Sequence, residues 1–108
     1  MWSDSQNDHA SRTFTGNVAV DVHHQKIGTV TDVLYDERNE VPRWAVVKMG
    51  ALRGERLMPL ADSYVTEDGK VVVALEKNSV KHAPRARRDH VLTIDLRRQL
   101  RDYYNIAA

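Results

Sequence analysis

The chain of 108 residues contains no cysteine, and this absence removes several kinds of site at once. Without thiols the protein has no disulfide, no cysteine-ligated metal and no thiol nucleophile. Packing and hydrogen bonds alone must therefore hold the fold together. A cysteine-free chain also fits a reducing compartment.

Long apolar runs are absent as well. Residues 1–13 are polar, and no stretch approaches the roughly 20 apolar residues that a membrane-spanning helix needs. We therefore expect no signal peptide, no membrane span and a cytoplasmic location. Residues 1–13 also have too little hydrophobicity to offset the entropy of ordering them, which predicts a flexible N-terminal arm.

The charged residues are unevenly distributed along the chain. Residues 1–76 contain 8 Lys and Arg against 12 Asp and Glu, a net charge of −4. Residues 77–108 contain 8 against 3, a net charge of +5. An acidic region followed by a basic tail indicates either self-association or an anionic partner.

Alternation of apolar and polar residues predicts short β-strands between residues 17 and 75. In the longest of them, Ile27 and Val30 can share a face only if the strand bulges near Gly28, where glycine tolerates the bend. The strand that follows Pro42 has two faces. We expect one of them to be the core face, with Ala45, Val47 and Met49, while Trp44, Val46 and Lys48 point the other way.

Turn-forming residues separate these strands. Residues 36–40 predict one turn, and Asp68-Gly69 predicts a hairpin with a type I′ turn. Pro59 predicts that its own strand lies at an edge of the sheet, because proline cannot donate a backbone hydrogen bond. These signals predict five or six strands.

Two helices are predicted after the strands. A short one covers residues 76–82 and ends at Ala83-Pro84, and residues 85–88 are predicted to form an exposed linker. Thr93 is the candidate N-cap of a final helix. The apolar stripe of that helix must pack on the protein's own sheet or on another chain, and it consists of Leu96, Leu100 and Tyr103.

The stretches 26–36 (KIGTVTDVLYD), 43–47 (RWAVV) and 58–84, which contains a valine strand and ends at Ala83-Pro84, occur in this order in the chain. In that order they resemble the PRC-barrel family, the small barrel of the photosynthetic reaction-centre H subunit and of the ribosome-maturation factor RimM. The resemblance implies a mainly β fold, a barrel of five to six antiparallel strands over residues 14–84. A basic linker and a C-terminal helix would follow at residues 85–108. It also implies docking on a partner without catalysis.

Catalytic and metal sites find little support in the sequence. His23 and His24 are adjacent, so their side chains point apart instead of converging on one ion. No carboxylates are spaced as an acid–base pair, and no Gly-x-Ser-x-Gly elbow surrounds Ser63. We therefore expect no enzyme activity, no metal and no cofactor.

The predicted function is a non-catalytic interaction module, an adaptor or regulatory subunit that forms a homodimer or binds a protein partner. The alternative is a small RNA-binding barrel whose tail arginines contact phosphates. No aromatic residues interleave with those arginines, which favours the first reading. The candidate partner-binding residues are Trp44, Arg85, Arg87, Arg88, Arg97, Arg98, Arg101, Tyr103 and Tyr104.

Overall fold

The structure, a computed structural model, describes residues 14–35, 42–50 and 54–106. The predicted N-terminal arm and the predicted turn at residues 36–40 lie outside the described residues. A mainly β chain with a short helix and a C-terminal helix is confirmed, and neither of these helices is long and apolar enough to cross a membrane. The elements are β1 (Val18–Val20), β2 (Lys26–Tyr35), β3 (Pro42–Lys48), β4 (Glu55–Pro59), β5 (Tyr64–Val65), β6 (Val71–Val72), α1 (Lys77–Lys81) and α2 (Ile94–Tyr104).

The six strands of the described residues form one mixed sheet in the order β4-β3-β2-β1-β6-β5. β1 and β6 are parallel, with Ala19 beside Val71 and Val20 beside Val72. The prediction of an antiparallel sheet is therefore wrong for this pair, although all the other neighbours are antiparallel. The cause is a crossover after β4, which carries the chain to the far end of the sheet before the β5–β6 hairpin returns beside β1.

The described strands do not close into a barrel, because β4 and β5 stand at the two ends of the sheet and do not pair. The sheet is nevertheless strongly curled. From Pro59 to Tyr64 the chain advances five residues. Those five residues can span at most about 18 Å, whereas the end strands of a flat six-stranded sheet would lie about 24 Å apart. The curl therefore brings the two ends toward each other.

The predicted bulge near Gly28 is confirmed. Ala19 pairs with Gly28, but Val20 pairs with Lys26, so Ile27 is the extra residue on β2. The bulge turns Ile27 to the same side as Val30. Both side chains are consequently buried in the main core.

Each face of the sheet carries a hydrophobic core. Ala45 and Val47 lie in the larger one, as predicted. The opposite face of β3 is buried as well, since Trp44 is 4% exposed and Val46 is 0% exposed. α2 covers this second face and completes a smaller core, which contains Trp44, Val46, Leu57, Leu96 and Leu100.

The β5–β6 hairpin forms at Asp68-Gly69, but its turn is not of type I′. Gly69 has φ +84°, whereas Asp68 does not have a positive φ. The backbone N of Gly69 donates to the carbonyl of Thr66 at 2.9 Å, and the N of Thr66 donates to the carbonyl of Lys70 at 2.9 Å. This pattern is a type I turn followed by a left-handed glycine, the usual three-residue hairpin loop.

Candidate functional site

The C-terminal helix α2 packs on the protein's own sheet. Its N-cap is the predicted one, because the Thr93 hydroxyl accepts a hydrogen bond from the backbone N of Leu96 at 3.1 Å. Leu96 and Leu100 then lie against Trp44 and its neighbours in the smaller core. Of the two alternatives left open by the sequence, intramolecular packing is therefore the one adopted by this helix.

Two of the aromatic candidates belong to that packing. The Tyr104 hydroxyl donates a hydrogen bond to the carbonyl of Leu57 at 2.6 Å, and the Tyr104 and Trp44 rings lie 6.2 Å apart. Burial raises the pKa of Tyr104 well above its ordinary value. Trp44 is only 4% exposed and cannot contact a partner, so its assignment to the docking surface is corrected.

Tyr103 takes the opposite orientation. The predicted apolar stripe included it, but its side chain is 41% exposed and Tyr104 takes the inward position instead. Its hydroxyl donates to the carbonyl of Ser79 at 2.5 Å, so Tyr103 ties α2 to α1.

The candidate arginines divide into engaged and unpaired side chains. Arg87 binds Asp89 through two hydrogen bonds of 3.1 Å, and this pairing raises the pKa of the Arg87 guanidinium. Arg97 is half-buried and has a partner of its own. Four exposed guanidinium groups take part in no salt bridge with any described residue, and these belong to Arg85, Arg88, Arg98 and Arg101.

Two of these arginines share one side of α2 with an exposed apolar residue. Ile94, Arg98 and Arg101 are spaced by four and three residues, which places them on a single helical face. That face lies opposite Leu96 and Leu100, and Ile94 is 73% exposed. Three residues before the helix begins, Val91 is 50% exposed. We call Ile94, Arg98 and Arg101 the outer face of α2.

The segment predicted as an exposed linker covers the free edge of β4. The N of Leu57 donates to the carbonyl of Pro84 at 3.3 Å, and the N of Ala86 donates to the carbonyl of Glu55 at 3.0 Å. Arg85 forms an isolated bridge with Arg56. The arginine side chains of this segment are exposed as expected, but the backbone of the segment blocks the addition of a further strand at this edge.

A histidine that sequence reasoning left unassigned connects this segment to the sheet. The Nδ1 atom of His90 lies 2.8 Å from Oδ2 of Asp32, and its Nε2 lies 2.8 Å from Oε1 of Glu55. The Thr31 hydroxyl donates to the second oxygen of Glu55 at 2.5 Å. We call His90, Asp32 and Glu55 the histidine clamp.

The clamp favours the charged form of the imidazole. Both ring nitrogens face carboxylates, and both can donate only when the ring is protonated. The hydrogen bonds to Glu55 and Asp32 raise the pKa of His90, despite the opposing effect of burial. Hydrogen bonds from Thr31 and His90 lower the pKa of Glu55. With both nitrogens occupied, His90 has no free atom for nucleophilic or general-base chemistry.

Replacing His90 with asparagine should remove a stabilisation that depends on pH. A raised folded pKa means that this stabilisation is fully present below the unfolded value near 6.5 and is lost as pH rises through the folded value. Asparagine tolerates the left-handed backbone of this position, φ +57°, so the backbone should persist. We expect a loss of about 1 kcal/mol near pH 6 that shrinks toward pH 9, after allowance for solvent screening.

Urea unfolding at a series of pH values measures this effect. His82→Gln is the matched control, because that imidazole is exposed and contacts only the carbonyl of Asn78, at 3.1 Å. A difference between His90→Asn and the native chain that stays constant across the pH series contradicts the clamp.

The other sites considered from the sequence do not assemble among the described residues. His23 lies 3.4 Å from Glu76 on the exposed surface, and His24 forms no ligand cluster with it. Within the described ranges no three His, Asp or Glu side chains are placed to hold a metal ion.

No protein-family model matches this chain, and no curated protein matches it significantly. The resemblance to the PRC-barrel family therefore stays a prediction that depends on the chain's own residues.

Proposed function

We propose that the protein is a non-catalytic interaction module, an adaptor or regulatory subunit that self-associates. The observation that carries this proposal is the outer face of α2, where the 73% exposed Ile94 stands beside two arginines that form no salt bridge with a described residue. A large apolar side chain among arginines, held on a helix that is itself packed on a sheet, has the composition of a protein interface. The helix presents this face without unfolding or leaving its own core.

The chemistry of the outer face selects an acidic partner surface. Arg98 and Arg101 have no carboxylate partner among the described residues. Residues 1–76 of the same chain carry a net charge of −4, and their exposed carboxylates, such as Asp62 and Glu67, are acidic groups that a second copy would offer. Complementary charge of this kind accelerates association and sets its orientation.

We also propose that the sheet is a PRC-type arrangement. Three features support the resemblance: the ordered stretches 26–36, 43–47 and 58–84, the bulged long strand β2, and the curl that brings β4 toward β5. The described strands differ from the expected barrel in two respects. The ends of the sheet are open, and β1 and β6 are parallel.

Sedimentation equilibrium of the full chain tests self-association. We expect Ile94→Ser and Arg98→Glu each to weaken the self-complex by about ten-fold, because truncating a central apolar or charged contact costs on the order of 1.4 kcal/mol. Raising the salt concentration should weaken it further, since exposed charges are screened.

Val22→Ser is the control for Ile94→Ser. Val22 is also an exposed apolar residue, 46% accessible, but it lies in the turn after β1. The proposal would be rejected if both substitutions weakened the self-complex equally. It would also be rejected if the chain were monomeric at every concentration and crosslinking captured no partner.

RNA binding is the competing function, and the four unpaired arginines are the observation that favours it. Against it, Tyr104 is packed on Trp44, and Tyr103 is engaged with both Ser79 and the edge of Tyr104. Neither ring offers a free platform for stacking a base. Fluorescence anisotropy with single-stranded RNA at low salt should be unaffected by Arg98→Glu; steeply salt-dependent binding that this substitution abolishes would favour this second function instead.

A further inference from the structure

Four of the five lysines in the chain line two adjoining spaces at one end of the sheet, a groove and a smaller recess. The groove has a volume of about 380 Å³ and is lined by Lys26, Lys48 and Lys77. A smaller recess of about 120 Å³ shares Lys77 with it and adds Lys81. Ile27 and Met49 line both spaces and form an apolar floor. We call this site the lysine groove.

The fold brings these lysines together from distant parts of the sequence. Lys26 begins β2 and Lys48 ends β3, and because the two strands are antiparallel, these positions meet at one end of the sheet. Lys77 is the first residue of α1, and its backbone N donates to Oδ2 of the buried Asp21 at 3.0 Å. Secondary structure therefore fixes the position of each Cα, leaving only the flexible side chains to adapt.

The ammonium groups in the groove are only partly offset by the described residues, since the charge of Lys48 helps to lower the pKa of Glu55. None of the four takes part in a salt bridge there, whereas the fifth lysine, Lys70, lies 3.8 Å from Asp68. The nearest register partner of Lys48 is Glu55, whose carboxylate is already bound by Thr31 and His90. The Asp21 carboxylate is 1% exposed and accepts bonds from backbone N–H groups.

Four like charges held around one concave surface repel one another, and this repulsion lowers the stability of the empty protein. An anion that enters the groove removes that repulsion. Lysine is a compact point charge that binds phosphate oxygens from several directions, whereas arginine prefers a planar two-point contact. The volume falls within the range of ligand pockets, about 300–1,000 Å³.

We propose that the lysine groove binds a ligand that carries two or more phosphate groups. The site shares no residue with the outer face of α2, so it is independent of the proposed self-association. Two or more phosphates match the number and spread of the ammonium groups better than a single phosphate does. The apolar floor of Ile27 and Met49 would lie beneath the uncharged part of such a ligand.

Calorimetry of the full chain at low salt tests this proposal with sodium tripolyphosphate as the probe. We expect binding that exceeds the affinity for inorganic phosphate by about ten-fold or more, because each additional charge-assisted contact strengthens it. The double variant Lys48→Gln/Lys77→Gln should weaken tripolyphosphate binding by about ten-fold or more. Lys70→Gln is the control, since it removes the same charge outside the groove.

A thermal melt of the empty variants separates ligand binding from a structural role. Removing two of four mutually repelling charges should leave the melting temperature unchanged or raised, while the stabilisation by tripolyphosphate disappears. In the native chain, the NMR amide signals of Gly28 and Gly50 in the groove should shift on titration. This readout does not depend on any variant.

Vesicles of phosphatidylcholine with and without cardiolipin, a lipid whose headgroup carries two phosphates, test the second source of such a ligand. Binding to tripolyphosphate assigns a soluble ligand, and binding only to the vesicles with cardiolipin assigns a lipid headgroup as the source of the phosphates. No binding of either probe at low salt, or an equal loss in Lys70→Gln, overturns the proposal.

Discussion

Replacing Gly28 with alanine should lower the free energy of unfolding by about 3 kcal/mol or more, because the added methyl group has no space. A Cβ atom at this position would lie 2.2 Å from the carbonyl oxygen of Lys48 and 2.9 Å from its carbonyl carbon. Both are backbone atoms of β3, the strand paired with β2, so the contact can be relieved only by separating the two strands. The change in melting temperature should be roughly 12 °C or more.

Gly16→Ala is the matched control for this prediction. Gly16 has φ +88°, but a Cβ there would meet no atom within 4 Å, so its substitution introduces backbone strain alone. We expect a cost of about 1 kcal/mol for that strain. A thermal melt in which the two variants lose equal stability would show that close approach of β2 to β3 is not what Gly28 provides.

The role of Gly28 was partly readable from the sequence. Ile27 and Val30 are three residues apart and would point to opposite faces of a regular strand. Two apolar residues at this spacing therefore predict a bulge, which adds one residue and returns both to the same face. The close approach to Lys48 was not readable, because it depends on which strand pairs with β2 and in which register. Sequence alternation identifies the two faces of a strand but not the distance to its neighbour.

The burial of Trp44 shows a second limit of the same kind. Alternation correctly separated Trp44 and Val46 from Ala45 and Val47. It could not reveal that both faces are covered, because the cover over Trp44 comes from Leu96 and Leu100, more than 50 residues further along the chain. The apolar stripe of α2 was predicted, but its location was left open between the protein's own sheet and another chain.

The polar groups of the candidate sites were the least predictable part. His90 is 58 residues from Asp32 and 35 from Glu55, and no motif connects them. The lysines of the groove were counted in the charge balance, but only the antiparallel pairing of β2 with β3 and the position of α1 bring them together. Sites assembled from single residues of several elements leave no periodic signal in the sequence.

The position of Asp21 also differs from what the sequence pattern predicts. The repetition of valine at residues 18, 20 and 22 predicts one continuous strand with Asp21 between the apolar side chains. The strand instead ends at Val20, Val22 is 46% exposed, and Asp21 is 1% exposed. Its carboxylate accepts hydrogen bonds from the backbone N atoms of His23 at 2.9 Å, Gln25 at 2.8 Å and Lys77 at 3.0 Å.

Replacing Asp21 with asparagine should therefore destabilise the protein by about 3 kcal/mol, because three hydrogen bonds to a charged acceptor are weakened together. One of the amide's two polar atoms is a donor and would face backbone N–H groups. Urea unfolding measures the loss, with Asp102→Asn as the control, since Asp102 is an exposed carboxylate on α2. A loss no larger than that of the control would mean that the three contacts contribute little.

The pH dependence provides an independent test, which also applies if the variant does not fold. Burial opposes ionisation of Asp21, but the bonds from Gln25, Lys77 and His23 outweigh it and lower the pKa of Asp21 below 3.8. The stabilisation is then present above the unfolded value and is lost as pH falls through the folded value. In the native chain, hydrogen exchange of the Gln25 and Lys77 amides should follow the ordinary pH dependence of base-catalysed exchange down to about pH 4. Below that pH, exchange at these two amides should be faster than this dependence predicts. Because Lys77 begins α1, loss of these bonds should also release one wall of the lysine groove. Protection of Lys77 that persists unchanged to the unfolding transition would contradict the anchoring role of Asp21.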